Sequence, residues 1–366
     1  MKNAVSKLLI LIIIVLVSGC AENVGNESGR SEKKPKNIII FIGDGMGVAQ
    51  LYAGMTKSGK TFFLERFPYS GFSKTYSADA YITDSAAGGT AIACGEKTNN
   101  GMIGVRPDST LLVSITELAH KNGLAAGVVS TSAVTHATPA SFVAHNAGRG
   151  NYEEIANDFL KGTIDVFIGG GENHFRNRKD GADLTVQLRE QGFDVVYTPE
   201  DMKKSQSTKL AGLLAKEHMA KASEGRNGVL TDMTKKAIET LSRNKNGFVL
   251  MVEGSMIDWG AHENNLDYVT SETIDLDQAI GAALDFATAD RNTLVFVTAD
   301  HETGGLVLTG GDIKTASVEG KFAGSDHSAV MVPVFAYGPG AEKLSGIHEN
   351  TFFYGEFTKF LGLKTR

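Results

Sequence analysis

The run Asn37-Ile38-Ile39-Ile40-Phe41-Ile42-Gly43-Asp44-Gly45-Met46-Gly47 sets an unbroken apolar stretch directly against a small-residue turn carrying one carboxylate. A strand buried on both faces reads this way, because neither face needs polar residues. The pattern recurs downstream. Leu124 to Ser130, Asp165 to Ile168, Phe193 to Tyr197, Phe248 to Val252, Thr293 to Val297 and Val332 to Tyr337 are further short apolar runs. Helix patterns lie between several of them. Leu111 to His120 is one, with Ser109 and Thr110 as expected caps; Ile274 to Phe286 is another, apolar at Leu276, Ala279, Ile280, Ala283 and Leu284. This alternation predicts an α/β fold, a three-layer sandwich with a largely parallel central sheet covered by helices on both faces. A single domain over 37–366 is expected, with the polar, Lys-rich residues 199–228 as a peripheral helical insertion.

The chain has 366 residues, 42% of them AVILMFWYC, enough for a large core. Its formal charge is -6 and no block of Lys or Arg forms a stripe, which argues against a nucleic-acid partner. The start stands apart. Lys2 and Lys7 precede the apolar run Leu8 to Val17, which is too short to span a bilayer comfortably. Val17-Ser18-Gly19-Cys20 looks like a bacterial lipobox, which implies a signal peptide over 1–19, cleavage before Cys20 and lipidation of that residue. Residues 20–36 then read as a flexible tether. The expected location is exported and lipid-anchored to a bacterial membrane, on its periplasmic or cell-surface side. Cys94 remains as one free thiol, so no internal disulfide is expected and a buried structural role is.

Polar residues interrupt the apolar runs where ligands of open α/β sheets bind, at the carboxyl ends of the strands. Asp44 follows the first run, Glu253 the run from Phe248, and Asp300-His301 the run from Thr293; His136 and Thr138 lie just beyond Leu124 to Ser130. In Glu253-Gly254-Ser255-Met256-Ile257-Asp258-Trp259-Gly260-Ala261-His262, a helix starting near Asp258 puts Asp258 and His262 four apart on one face, able to grip one metal. His327 adds another imidazole before a strand. Mixed Asp, Glu and His donors suit Zn, with Mg at an oxygen-rich position. In Thr83-Asp84-Ser85-Ala86-Ala87-Gly88-Gly89-Thr90-Ala91, the small residues after Ser85 fit the opening of a tightly packed helix. Helix N-termini favour anions, and a bare Ser needs a base or a metal to become a nucleophile. No G-x-S-x-G elbow surrounds Ser85, so metal activation is the natural alternative.

These segments resemble alkaline phosphatases. The likeness rests on the opening strand through Gly47, on Thr83 to Ala87, on His136-Ala137-Thr138-Pro139-Ala140, on Glu253 to His262, on Thr298-Ala299-Asp300-His301-Glu302, and on the His327 region, six motifs in one order. The resemblance implies hydrolysis of phosphate monoesters through a phosphoserine on Ser85. It implies two Zn per subunit, one held by Asp258, His262 and His327, the other by Asp44, Asp300 and His301. It implies a third ion, usually Mg, at Asp44, Thr138 and Glu253, and a phosphate clamp at Arg149. A homodimer is implied by the resemblance alone.

Two positions depart from the pattern. His136 stands where some members carry Asp, so the third ion is expected to be Mg or, given that imidazole, a third Zn or another divalent metal. Trp259 stands where others carry Lys or His. Among the remaining residues, Asp84 is expected to orient Arg149 or cap the helix, Glu302 to support the ligands, and His145 to be a core or supporting residue. His120 is expected at a helix C-terminus, and His174, His218 and His348 at the surface. The rival readings are a diesterase or sulfatase of the same superfamily and a non-catalytic metal- or phosphate-binding protein. Ser85 lacks the C/S-x-P-x-R context that sulfatases need.

Overall fold

The structure is a computed structural model that describes residues 34–364. The expected signal peptide, Cys20 and most of the tether lie outside the described residues.

The strands are β1 (Asn37–Gly43), β2 (Tyr69–Lys74), β3 (Ala125–Ala133), β4 (Val166–Gly170), β5 (Asp194–Val196), β6 (Leu210–Ala215), β7 (Phe248–Gly254) and β8 (Thr293–Thr298). The short β9 (Glu302–Thr303), β10 (Leu306–Asp312), β11 (Ser317–Phe322) and β12 (His327–Ser328) follow, then β13 (Val332–Tyr337) and β14 (Gly346–Glu349). Ten of them form one sheet in the order β14-β2-β13-β8-β1-β7-β3-β4-β6-β5. Only β13 runs against its neighbours, β2 and β8; the other pairings are parallel.

The opening run occupies the middle of this sheet. Ile38, Ile40 and Ile42 point into one apolar cluster, with residues of the helices Ser85–Cys94, Ile115–Lys121 and Phe352–Leu361. Ile39 and Phe41 point into the other, with residues of the helices Val229–Leu241 and Leu266–Asp290. Period-two geometry thus explains why every residue of β1 is apolar up to Gly43 apart from Asn37: both faces are core. The three-layer α/β expectation holds.

The register aligns the strand ends. Ile42 stands opposite Glu253 of β7 and Thr298 of β8, and Ser130 of β3 also stands opposite Glu253. Residues just past these positions therefore leave the sheet at one height.

Local expectations need corrections. The helix expected over Leu111 to His120 begins at Ile115, capped by Ser114 in a reciprocal capping box with Glu117. Ser109 and Thr110 are not its caps; Ser109 sits in a turn at φ 67°. Residues 199–228 are not a peripheral helical insertion. They hold one short α-helix, Pro199–Lys204, then β6, a strand of the main sheet between β4 and β5, and a single 3-10 turn, Ala222–Glu224. The six apolar and small residues of β6 are masked in the sequence by the polar Lys-bearing segments on either side. The helix expected from Ile274 begins at Leu266, where Asn265 caps it by accepting from the Tyr268 amide, and its first half buries charge: Arg226 pairs with Glu272 and Asp275, all fully buried. Buried polar residues hide a helix from an apolar-periodicity reading.

Candidate metal centre

Asp44 leaves β1 and is fully buried. Gly45 follows at φ 72°, and a Cβ there would lie 2.7 Å from the Cα of Asp258. The glycine is needed both for the left-handed turn and for the close approach that brings two carboxylates together. Glu253 is the penultimate residue of β7, and the helix Met256–His262 follows at once, carrying Asp258 and His262 on one face. Asp300 and His301 follow β8. His327 reaches the same edge because β12 pairs antiparallel with β9, His327 opposite Thr303. Beyond β3, His136 is the N-cap of the short helix Ala137–Ala140, which carries Thr138.

Three donor groups result, each close enough to hold one ion: Asp258, His262 and His327; Asp44, Asp258 and His301; Asp44, His136 and Glu253. In the first, His262 Nε2 lies 3.2 Å from His327 Nε2 and 3.2 Å from Asp258 Oδ1, and His327 Nε2 lies 3.6 Å from the same oxygen. In the second, His301 Nε2 is 3.4 Å from Asp44 Oδ1, 3.4 Å from Asp300 Oδ2 and 3.2 Å from Ser85 Oγ. In the third, the Thr138 hydroxyl donates to Asp44 Oδ2 at 3.3 Å. Asp44 joins the second and third groups, and Asp258 stands between the first and the second.

Backbone and hydroxyl partners aim the imidazoles. His262 Nδ1 meets the Ser325 carbonyl and His327 Nδ1 the Thr83 carbonyl, so Nδ1 carries the proton and Nε2 turns its lone pair inward. His301 Nδ1 lies 3.2 Å from the Thr303 hydroxyl, which also bonds Asp258. Glu302 accepts from Gln50, Ser328 and the amides of Gly305 and Leu306, tying the β8 end to the strand that carries His327.

The electrostatics call for cations. Burial raises Asp44 well above the usual carboxylate range, and the charges of Asp300, Asp258 and Glu253 add to it. Burial and the charges of Asp258 and Glu253 push Asp300 up to about 8. Burial also raises Glu253, against hydrogen bonds from Ser130, Ser255 and Thr138. Burial alone would raise Asp258 too, but the bond to His262 and the charges of His301 and His327 outweigh it and hold that carboxyl low. Burial keeps His301 and His136 neutral, His136 falling to about 3. Asp44 Oδ1, Glu253 Oε1, Asp300 Oδ2 and His136 Nδ1 are buried without a hydrogen-bond partner among the described residues. Orphaned acceptors of this kind are costly in a protein interior unless a cation faces them. The donor set therefore fits divalent metal ions.

Ser85 opens the helix Ser85–Cys94, and Asp84 caps it by accepting from the Ala87 amide at 2.9 Å. The other Asp84 oxygen accepts from Arg149 at 2.9 Å and from the Gly101 amide. Asp84 thus performs both expected tasks. Cys94 is buried in the same helix, its thiol pushed up by burial.

Two expectations about histidines are corrected. His174 is buried, bonded to Thr135 and Glu217 and stacked on Tyr152. His218 is half-buried and lies edge-on to both His136 and Trp259. Neither is a surface residue, and sequence spacing carries no signal for either. Ser130, Ser132 and Ser255, which surround Glu253, were also missed. The run Ser130-Thr131-Ser132 at the end of an apolar strand was a readable anomaly. His120 lies in the last turn of its helix facing Asp165, and His348 stacks on Phe352.

Comparison with known proteins agrees with this geometry. The family model for alkaline phosphatase matches residues 35–321. Alkaline phosphatase 4 of Bacillus subtilis is 35% identical over 96% of this chain and 95% of its own length. The alkaline phosphatase of Escherichia coli is 32% identical over 91% of this chain and 88% of its own. The structure of alkaline phosphatase from the Antarctic bacterium TAB5 superimposes with a TM-score of 0.87 at 42% identity, covering 91% of this chain and 99% of that one. A His-to-Asp variant of the TAB5 enzyme is known with Mg bound in its M3 site. The chain belongs to the alkaline phosphatase family and is a metal-binding hydrolase of phosphate monoesters.

Proposed function

We propose that Ser85 attacks the phosphorus of a bound monoester and carries the phosphoryl group as a phosphoserine, in a centre built for two Zn and a third divalent ion. The observation that carries this reading is the spacing of the donor atoms. A tetrahedral Zn with ligands at about 2.0–2.1 Å separates them by about 3.3 Å; the donor atoms of Asp258, His262 and His327 lie 3.2–3.6 Å from one another, and Ser85 Oγ lies 3.2 Å from His301 Nε2. Asp258, His262 and His327 would hold the first Zn. Asp44, Asp300 and His301 would hold the second, with Ser85 beside it and Asp258 near both. Asp44, Thr138, Glu253 and His136 would hold the third ion. Mg suits an all-oxygen site, whereas the neutral imidazole of His136 favours Zn or another transition metal. The Mg in the TAB5 His-to-Asp variant accords with that preference. When bound, these ions supply positive charge for the alkoxide of Ser85 and for the oxygens of the transferring phosphoryl group.

The chain's own groups do the positioning. The helix that begins at Ser85 turns its positive end toward the phosphate. Arg149, fixed by Asp84, offers its remaining guanidinium donors to the phosphoryl oxygens. The Ser85 Oγ–P bond forms as the ester P–O bond breaks, and the alcohol leaves. Water then attacks the phosphoserine, releasing phosphate and restoring Ser85. Two inversions give net retention at phosphorus. Little beyond the phosphate is gripped, so many monoesters should be accepted.

Acid quenching during turnover of a labelled monoester should trap label on Ser85, and Ser85→Ala should lose at least about a thousandfold in kcat. Undiminished hydrolysis by Ser85→Ala would remove the nucleophile assignment. Activity should vanish with a chelator and return on adding Zn and Mg, and the matching diester should be a poor substrate. Comparable monoester and diester rates would favour the diesterase reading.

Two wider proposals rest on other features. A homodimer is supported by the exposed apolar side chains Phe72, Tyr81, Ile82, Val330 and Met331, the first three before Thr83 in sequence and the last two after His327. Export and lipid anchoring are supported by the basic and apolar start and by Cys20 in its lipobox context; among the described residues no helix is long and apolar enough to cross a membrane.

A further inference from the structure

The segment Lys216–Met219, which follows β6, reaches the third donor group from a distant part of the chain. It lies so close over the end of β4 that a Cβ on Gly170 would fall 2.0 Å from the Glu217 carbonyl oxygen. Its residues take hold of the end of β3 and the turn beyond it, Thr131 to Thr135, at three points. The Met219 amide donates to the Thr131 carbonyl at 3.2 Å. His218 Nδ1 accepts from the Ala133 amide at 3.1 Å. Glu217 Oε2 lies 3.0 Å from His174 Nε2, and His174 Nδ1 lies 2.6 Å from the Thr135 hydroxyl. The partners assign the protons: Glu217 accepts from His174 Nε2–H, and the Thr135 hydroxyl donates to Nδ1.

His136 is the next residue, and three rings surround it, those of His218, of Tyr152 and of Trp259, which itself packs against His218. The His218 ring meets it edge-on at 5.6 Å between centroids, Trp259 at 6.0 Å, and Tyr152, stacked on His174, at 6.4 Å. His136 Nδ1 is left buried and unpartnered, beside Asp44 and Glu253. A ring held on several sides with one free nitrogen is preorganised as a ligand.

We propose that Glu217 and His218 are positioning residues for the third cation site, and that through Ala133, Thr135 and the His136 ring they set its affinity for a divalent metal ion. The inference rests on the three-ion reading above. The first two donor groups receive no contact from this segment in the bonds described, so its effect should be confined to one site.

The test is calorimetric titration of the metal-stripped full chain, with Zn and then Mg, alongside metal analysis. The parent should take up three ions. In His218→Ala the weakest site should lose about tenfold to hundredfold in affinity, the usual cost of removing an outer partner of a metal ligand, while the other two stay within twofold of the parent. Glu217→Ala should move the same site in the same direction. His218→Asn, whose amide oxygen can accept from Ala133, should recover most of the loss, which a purely space-filling role would not produce. A parent that takes up only two ions overturns the three-ion reading. A parent with three ions and an unchanged third affinity in His218→Ala overturns the clasp alone. Equal weakening of all three sites, no recovery in His218→Asn, or unfolding of both His218 variants by circular dichroism also counts against it, since each makes the role one of general structure.

Discussion

Trp259 and His136 meet beside the third donor group, their ring centroids 6.0 Å apart. Trp259 sits beside Asp258 on the metal-facing helix, its ring against His136 and His218. It brings no cation to a bound phosphate. Trp259→Lys should therefore bind inorganic phosphate more tightly, about tenfold if one charge-assisted bond is gained. Equal product-inhibition constants for parent and variant would dispose of this. His145 is a different case, outside the donor groups. Burial pushes its imidazole down, but hydrogen bonds with Asp158 and Glu117 outweigh this and hold it up at about 9. A raised folded-state value stabilises the fold fully below the unfolded value of about 6.5, and that contribution is lost as pH rises through 9. His145→Gln should flatten the fall in urea midpoint between those limits. Parallel pH profiles for parent and variant would show that His145 contributes nothing to it. Its supporting role was legible as an expectation; its two acidic partners, 28 residues before and 13 after, were not.

The helix Ser85–Cys94 shows why a ligand-bearing edge needs small residues. A Cβ on Gly88 would lie 3.0 Å from the Asp300 carbonyl oxygen, and one on Gly89 would lie 3.0 Å from Ser141 Oγ and 3.4 Å from the Cα of Thr138. The helix slides between two segments that carry donors, and side chains there would push them apart. Gly88→Val should destabilise the protein by about 1–3 kcal/mol, the usual range for overpacking, and should lower metal content through Asp300. Denaturant unfolding and metal analysis check both; a variant as stable and as metal-loaded as the parent would mean the gap can yield. The small residues after Ser85 were readable as tight packing, while the neighbours that demand it were not. β6 and the first turns of Leu266–Asp290 escaped for a related reason. One is short and flanked by charge, and the other buries a charged network, so local patterning pointed away from the sheet and the core.

At the scale of the molecule, the exposed cluster of Phe72, Tyr81, Ile82, Val330 and Met331 is the feature that most invites a second copy of the chain. Phe72, Tyr81, Val330 and Met331 line one open pocket, and grouped exposed apolar side chains are a common mark of an interaction surface. The protein should run at dimer mass in light scattering, and Tyr81→Glu combined with Met331→Glu should shift it to monomer mass. A parent already monomeric at micromolar concentration would remove the dimer. Because Thr83 follows Tyr81 and Ile82 and supplies the carbonyl that holds His327, the monomeric variant should also hydrolyse monoesters more slowly.

The sequence by itself determined the sandwich and the edge at which chemistry occurs. Doubly buried strands must be continuously apolar, so the first polar residue after each run marks its exit from the sheet, as Asp44, Glu253 and Asp300 do. Only the tertiary structure decided how those residues share the space. Asp258 lies within reach of two donor groups, the His218 ring packs against His136, and Glu217 reaches Thr135 through His174. Such contacts join segments far apart in the chain through strand register and close backbone approach. Residue type and spacing carry no record of either.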